Sequence, residues 1–133
     1  MEERKVLGEV FGKQKKLKAK DLKVVLVIDV LSKSCNKLIN VIFLMKKKKI
    51  RNSEVLSICY RLFRSIKEIV EPYKEELNLK GFLEMEEELT SELYKKEEKH
   101  IHRDSLYQLI NIFKDLVAQL KEKHNIEEAL FVF

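Results

Sequence analysis

At 133 residues, with 45% hydrophobic and 37% charged positions, the chain is long enough to bury a core without disulfide or metal staples and too apolar for a disordered tail. Three glycines, one proline and no tryptophan supply too few turn residues for a many-stranded sheet, so the composition points to an all-α fold. The formal charge is +5 and the excess is mostly lysine, which admits an acidic partner but equally describes a solvated surface.

Residues 1–20 hold Gly8 and Gly12, a few apolar residues (Val6, Leu7, Val10, Phe11) and the lysine run KQKKLKAK. They read as a basic N-terminal arm or short helix leading to Asp21, which is expected to cap the next helix. MEERKVLGEVFG lacks the apolar core and small-residue cleavage site of a signal peptide. Two cysteines without a secretory signal favour a reducing, cytoplasmic setting.

The organising stretch is LKVVLVIDVLSKSCNKLINVIFLM, from Leu22 to Met45. Val24, Ile28, Leu31, Cys35, Leu38, Ile42 and Met45 recur at steps of four and three, which places them on one helical face. Val27, Val30, Val41 and Leu44 form a second apolar row, widened by Ile39 and Phe43. The polar strip is narrow: Asp29, Ser32, Lys33, Asn36, Lys37 and Asn40. So broad an apolar surface belongs to the long, largely buried central helix of a bundle, about 22–46. A strand reading of KVVLVIDV would lead into an Asp-x-Ser-x-Ser metal motif. Ser32 and Ser34 are out of register for it, and no glycine-rich turn follows. A membrane span is disfavoured by Asp29, Lys33 and Lys37 inside the segment.

Lys46 to Lys49 suit a helix C-terminus, where cations meet the negative end of the dipole. Asn52 or Ser53 is expected to cap a second helix, with Glu54 in its first turn. Leu56, Cys59, Phe63, Ile66, Val70, Tyr73 and Leu77 continue its stripe across Pro72, which predicts a kink there, with a new helix starting at Pro72 as the alternative, and an end at Gly81. A third, more solvated helix is expected from Phe82 to Lys99 on a thin stripe of Phe82, Leu89 and Leu93, with Met85 and Tyr94 beside it. After a break at 100–104, Asp104 is expected to cap a fourth helix bearing Leu106, Leu109, Ile110, Phe113, Leu116, Val117 and Leu120, with a stop at Asn125. The tail at 126–133 is apolar. The expectation is one domain over 1–133, an antiparallel all-α bundle of about four helices.

The chemistry-bearing residues are sparse. Glu97, His100, His102 and Asp104 form the densest cluster, but a di-iron bundle needs a second Glu-x-x-His, and His100 and His102 do not share a helix face. Cys35 and Cys59 fall on apolar stripes and are expected as core residues, not nucleophiles. The scattered glycines form no phosphate-cradling loop, and neither Arg61 nor Arg103 is followed by a histidine at the spacing of helical ribonucleases. No catalytic residue, metal or cofactor is expected.

Two interaction surfaces remain. Lys46, Lys47, Lys48, Lys49 and Arg51, with Arg61 and Arg64 beyond them, would offer one positive end to phosphates. The lysine run at 13–20 would lie at the opposite end of the central helix, roughly 35–40 Å away at ~1.5 Å per residue. No aromatic residues interleave with the lysines, so base stacking is not indicated. The second surface is the apolar excess of the central helix together with Leu130, Phe131, Val132 and Phe133 in the tail. The functional expectation is a non-enzymatic adaptor or small subunit that meets a protein partner or its own copies. A sequence-independent binder of nucleic-acid backbone is the alternative, and a membrane is not an expected partner.

Overall fold

The computed structural model describes residues 19–94, 101 and 103–126, which form four α-helices. They are α1 (Ala19–Lys46), α2 (Asn52–Val70), α3 (Lys80–Leu93) and α4 (Arg103–His124), with a short 3-10 turn at Glu71–Tyr73. The protein is an all-α bundle. The N-terminal arm at 1–18, most of the Glu97–His102 cluster and the tail at 127–133 lie outside the described residues.

The main packing is α1 against α4, and α2 and α3 close the ring, so that α1 and α3 occupy opposite corners. Cys35 reaches Ile110, and Ser32 and Asn36 share a cleft with Lys114 and Val117, so α1 and α4 run antiparallel. The same holds for α3 and α4, where Gly81 neighbours Ile112 and Glu88 meets Ser105.

The core follows the sequence stripes. Val24, Ile28, Leu31, Cys35, Leu38 and Ile42 of α1 are buried against Leu56, Cys59, Phe63, Ile66 and Val70 of α2 and Leu106, Leu109, Ile110, Phe113, Leu116 and Leu120 of α4. Each such side chain removed from water stabilises the fold by roughly 1.5–3 kcal/mol before entropy is counted. Among the described residues Ser34 is the buried polar exception, and its hydroxyl donates to the Val30 carbonyl at 2.8 Å, one turn back.

The helix ends depart from the sequence expectations. Helix α1 is already formed at Ala19, so Asp21 lies within it and is not its cap. Arg51, in extended conformation, occupies the N-cap of α2 without a side-chain cap, displacing the expected Asn52 or Ser53. Helix α2 stops at Val70 and does not kink through Pro72. The proline lacks an N–H and its ring crowds the carbonyl four residues back, and it sits in the middle of the 3-10 turn instead. The apolar pattern beyond it still counts, because Leu77 is buried and Tyr73 half-buried from the turn.

Gly81 does not end a helix: it sits in the first turn of α3 and has no positive φ. Helix α3 ends at Leu93, where Tyr94 takes the C-cap position and its N–H donates to the Thr90 carbonyl at 3.1 Å. The expected continuation to Lys99 falls outside the described residues. Asp104 lies in the first turn of α4, behind Arg103.

Two C-termini are built alike. Lys49 N–H donates to Leu44 O at 2.9 Å and Lys48 N–H to Met45 O at 3.0 Å, with Lys48 left-handed at φ 56°. Ile126 N–H donates to Lys121 O at 2.9 Å and Asn125 N–H to Glu122 O at 3.4 Å, with Asn125 at φ 52°. Both are Schellman caps, which satisfy carbonyls the helix would otherwise leave open. At the second, Ile126 is buried, the hydrophobic seal that commonly accompanies this motif.

Candidate functional site

The basic connection is the first candidate surface. Its Schellman cap reverses the chain between α1 and α2, and Lys46, Lys47, Lys48, Lys49 and Arg51 all emerge exposed while Ile50 packs against the core. These five cations share one end of the bundle. Arg51 is partly spent, because its Nε donates to Glu54 Oε1 at 2.9 Å. The Lys47 ammonium lies 5.7 Å from the centre of the Phe43 ring, a cation–π contact that holds it along α1.

Arg61 and Arg64 are exposed but stand apart. They are about 13 and 18 Å up α2 from Asn52 at ~1.5 Å per residue. The Arg61 guanidinium is turned onto Ser57, with 3.1 Å to its hydroxyl and 3.5 Å to its carbonyl. The seven expected phosphate ligands thus divide into a cluster of five and two outliers.

The second candidate surface lies on α1. Leu22, Leu26 and Val30 are 53, 64 and 40% exposed, and Ile39 and Phe43 are 48 and 58% exposed. The broad apolar surface of this helix is therefore covered only on the side that meets α2 and α4. Val41 of the second row is buried, and Val27 and Leu44 are half-buried. The tail residues Leu130, Phe131, Val132 and Phe133 lie outside the described residues.

The outer face of α3 is a third surface, one that the apolar stripes do not mark. It exposes Leu83 at 47% and Tyr94 at 75%, beside exposed Glu84, Glu87 and Glu88. The signal was present in the EMEEELTSE run, where every carboxylate off the stripe must face water or a partner.

Clefts are small. One of about 220 Å³ between α1 and α4 is lined by Ser32, Cys35, Asn36, Lys114 and Val117. The Cys35 thiol, 5% exposed, donates to the Ile110 carbonyl at 3.7 Å. Burial pushes its pKa up, against the pull of the Lys114 ammonium. The Cys59 thiol, fully buried, is pushed up to about 12 by burial. In both, burial disfavours the thiolate, which is the reactive form. A second cleft of about 210 Å³ lies between α3 and α4 beside Gly81 and Ile112. Both fall below the ~300 Å³ at which small-molecule sites usually begin.

Among the described residues, no three His, Cys, Asp or Glu side chains converge as metal ligands, and no helix is long and apolar enough to cross a membrane. The described residues form a four-helix bundle whose longest helix exposes Leu22, Leu26 and Val30 in its first half and Ile39 and Phe43 in its second, on either side of an exposed polar strip through Ser32, Lys33, Asn36, Lys37 and Asn40. Set against family models, curated proteins and solved structures, the chain matches none.

Proposed function

We propose that this protein is a non-enzymatic contact module, an adaptor or small subunit of an assembly, and that the outer face of α1 is its docking surface. The exposure of Leu22, Leu26, Val30, Ile39 and Phe43 along one helix carries this reading. Large apolar side chains gathered on one element lower their free energy when a partner covers them. Replacing Leu26 and Phe43 together by serine is expected to reduce oligomer mass or partner capture while leaving the melting temperature nearly unchanged. The same assays on Phe131→Ala with Phe133→Ala test the tail. A Leu26–Phe43 variant that matches the parent in both mass and capture overturns the α1 reading.

A second reading rests on the five clustered cations of the connection, Lys46 to Lys49 and Arg51. A polyanion backbone would be held there by charge alone, with affinity falling steeply as salt rises. Fluorescent single- and double-stranded oligonucleotides, titrated at low and near-physiological salt, test it. Neutralising Lys47, Lys48, Lys49 and Arg51 should then abolish binding, and absence of binding at low salt removes this reading.

A further inference from the structure

We infer that the partner of the α1 face is a second copy of this chain, docking through the acidic outer face of α3; this rests on the contact reading above. The two faces are complementary in both charge and apolar content. On α1, Phe43 is exposed with Lys47 one turn on, and Lys37 and Lys46 are exposed nearby. On α3, Leu83 is exposed with Glu87 one turn on, Glu84 shares its outer side, and Tyr94 extends the same face. The one cation of α3, Lys80, is its first residue and precedes this stretch. Each surface therefore offers a large apolar side chain next to charges of one sign, and the signs are opposite.

These charges are not neutralised by opposite ones among the described residues, although the Lys47 ammonium already lies over the Phe43 ring. Among the described residues, no ion pair engages Glu84 or Glu87, nor Lys37, Lys46 or Lys47. By contrast Lys33 is held by Asp29 at 2.8 Å and Glu86 by Lys67 at 2.7 Å, so the same two helices do form ion pairs where an opposite charge is in reach.

Placement decides the symmetry. Helices α1 and α3 stand at opposite corners of the bundle, so one copy cannot close the contact on itself. Pairing α1 of one copy with α3 of the next is heterologous, and repetition yields a ring or an open chain of subunits. Salt should dissolve it, since exposed charges are screened beyond about 8 Å at physiological ionic strength.

The test is light scattering and sedimentation of the full chain across concentration at low and high salt. At low salt the mass should climb to at least about twice the 15.8 kDa of one chain and return to the monomer at high salt. Glu84→Lys with Glu87→Lys should leave a monomer, as should Lys37→Glu with Lys47→Glu. Mixing these two charge-reversed proteins should restore association, because each then carries the complement of the other. All four positions are exposed, so circular dichroism should match the parent; the Glu→Gln and Lys→Gln versions serve if a reversed variant misfolds. A parent that stays monomeric at low salt, or assemblies indifferent to both reversals, overturns self-docking. Loss of partner capture by the Leu26→Ser, Phe43→Ser protein in that event would keep the contact reading with a different occupant.

Discussion

Phe63 of α2 and Phe82 of α3 stack with ring centroids 4.1 Å apart and planes 18° from parallel, both essentially without solvent contact. Helix α3 has only Phe82, Met85 and Leu89 fully in the core, so this stack carries much of its attachment. The half-exposed Lys67–Glu86 pair, one turn further along both helices, adds less than about 1 kcal/mol on the usual scale for such bridges.

Phe82→Ala should therefore destabilise the fold by about 3–5 kcal/mol, the range for buried aromatic truncation. Urea unfolding measures it. A double-mutant cycle with Phe63→Leu should return a coupling of roughly 0.5–1.5 kcal/mol for the stacked pair. A loss below about 1 kcal/mol would mean α3 is held elsewhere.

Lys48→Gly should raise stability by roughly 1 kcal/mol. A lysine at φ 56° bears the left-handed penalty that glycine does not. Asn125→Gly should give a smaller gain, because asparagine tolerates that region better. Thermal melts of the two variants, compared directly, check the order.

Gly81→Ala should stabilise by about 0.5 kcal/mol, since glycine in a helix costs conformational entropy. The added methyl would meet Ile112 Cγ1 at 3.9 Å, an ordinary contact, and the backbone there needs no positive φ. A decrease in melting temperature would show that the first turn of α3 cannot accept the side chain.

Alkaline stability should depend on Cys59. Its thiol ionises at 9.0 when unfolded but at about 12 when buried, so between these values the unfolded chain binds fewer protons. Stability is then undiminished below pH 9 and falls as pH rises toward 12, at up to about 1.4 kcal/mol per unit. Unfolding titrations of the parent and Cys59→Val, run on either side of the unfolded thiol's pKa, should differ in slope, with the valine protein flatter. Thiol reagents at neutral pH should modify Cys35 slowly and Cys59 only on unfolding.

The helical stripes were legible without any structure. Steps of three and four through Val24–Ile42, Leu56–Val70 and Leu106–Leu120 name residues that are nearly all buried, because that spacing forces one face inward whatever the partner helix. Composition along the chain also marked Lys46–Arg51 as a cationic connection and Asn125 as a stop. The helix ends were less legible. Capping preferences are worth only about 1 kcal/mol, too little to fix a boundary, and Asp21, Asn52 and Asp104 all lie inside their helices.

Which part of α1's broad apolar surface stays uncovered could be read only from the packed bundle. Burial depends on where α2 and α4 cross it, and periodicity carries no record of the crossing. For the same reason the cations divided, five on the connection and Arg61 with Arg64 on the flank of α2. Opposite corners for α1 and α3, the placement on which the docking inference depends, came from the closing of the ring. A helix's own sequence sets its inward face, but its neighbours set what the outward face can meet.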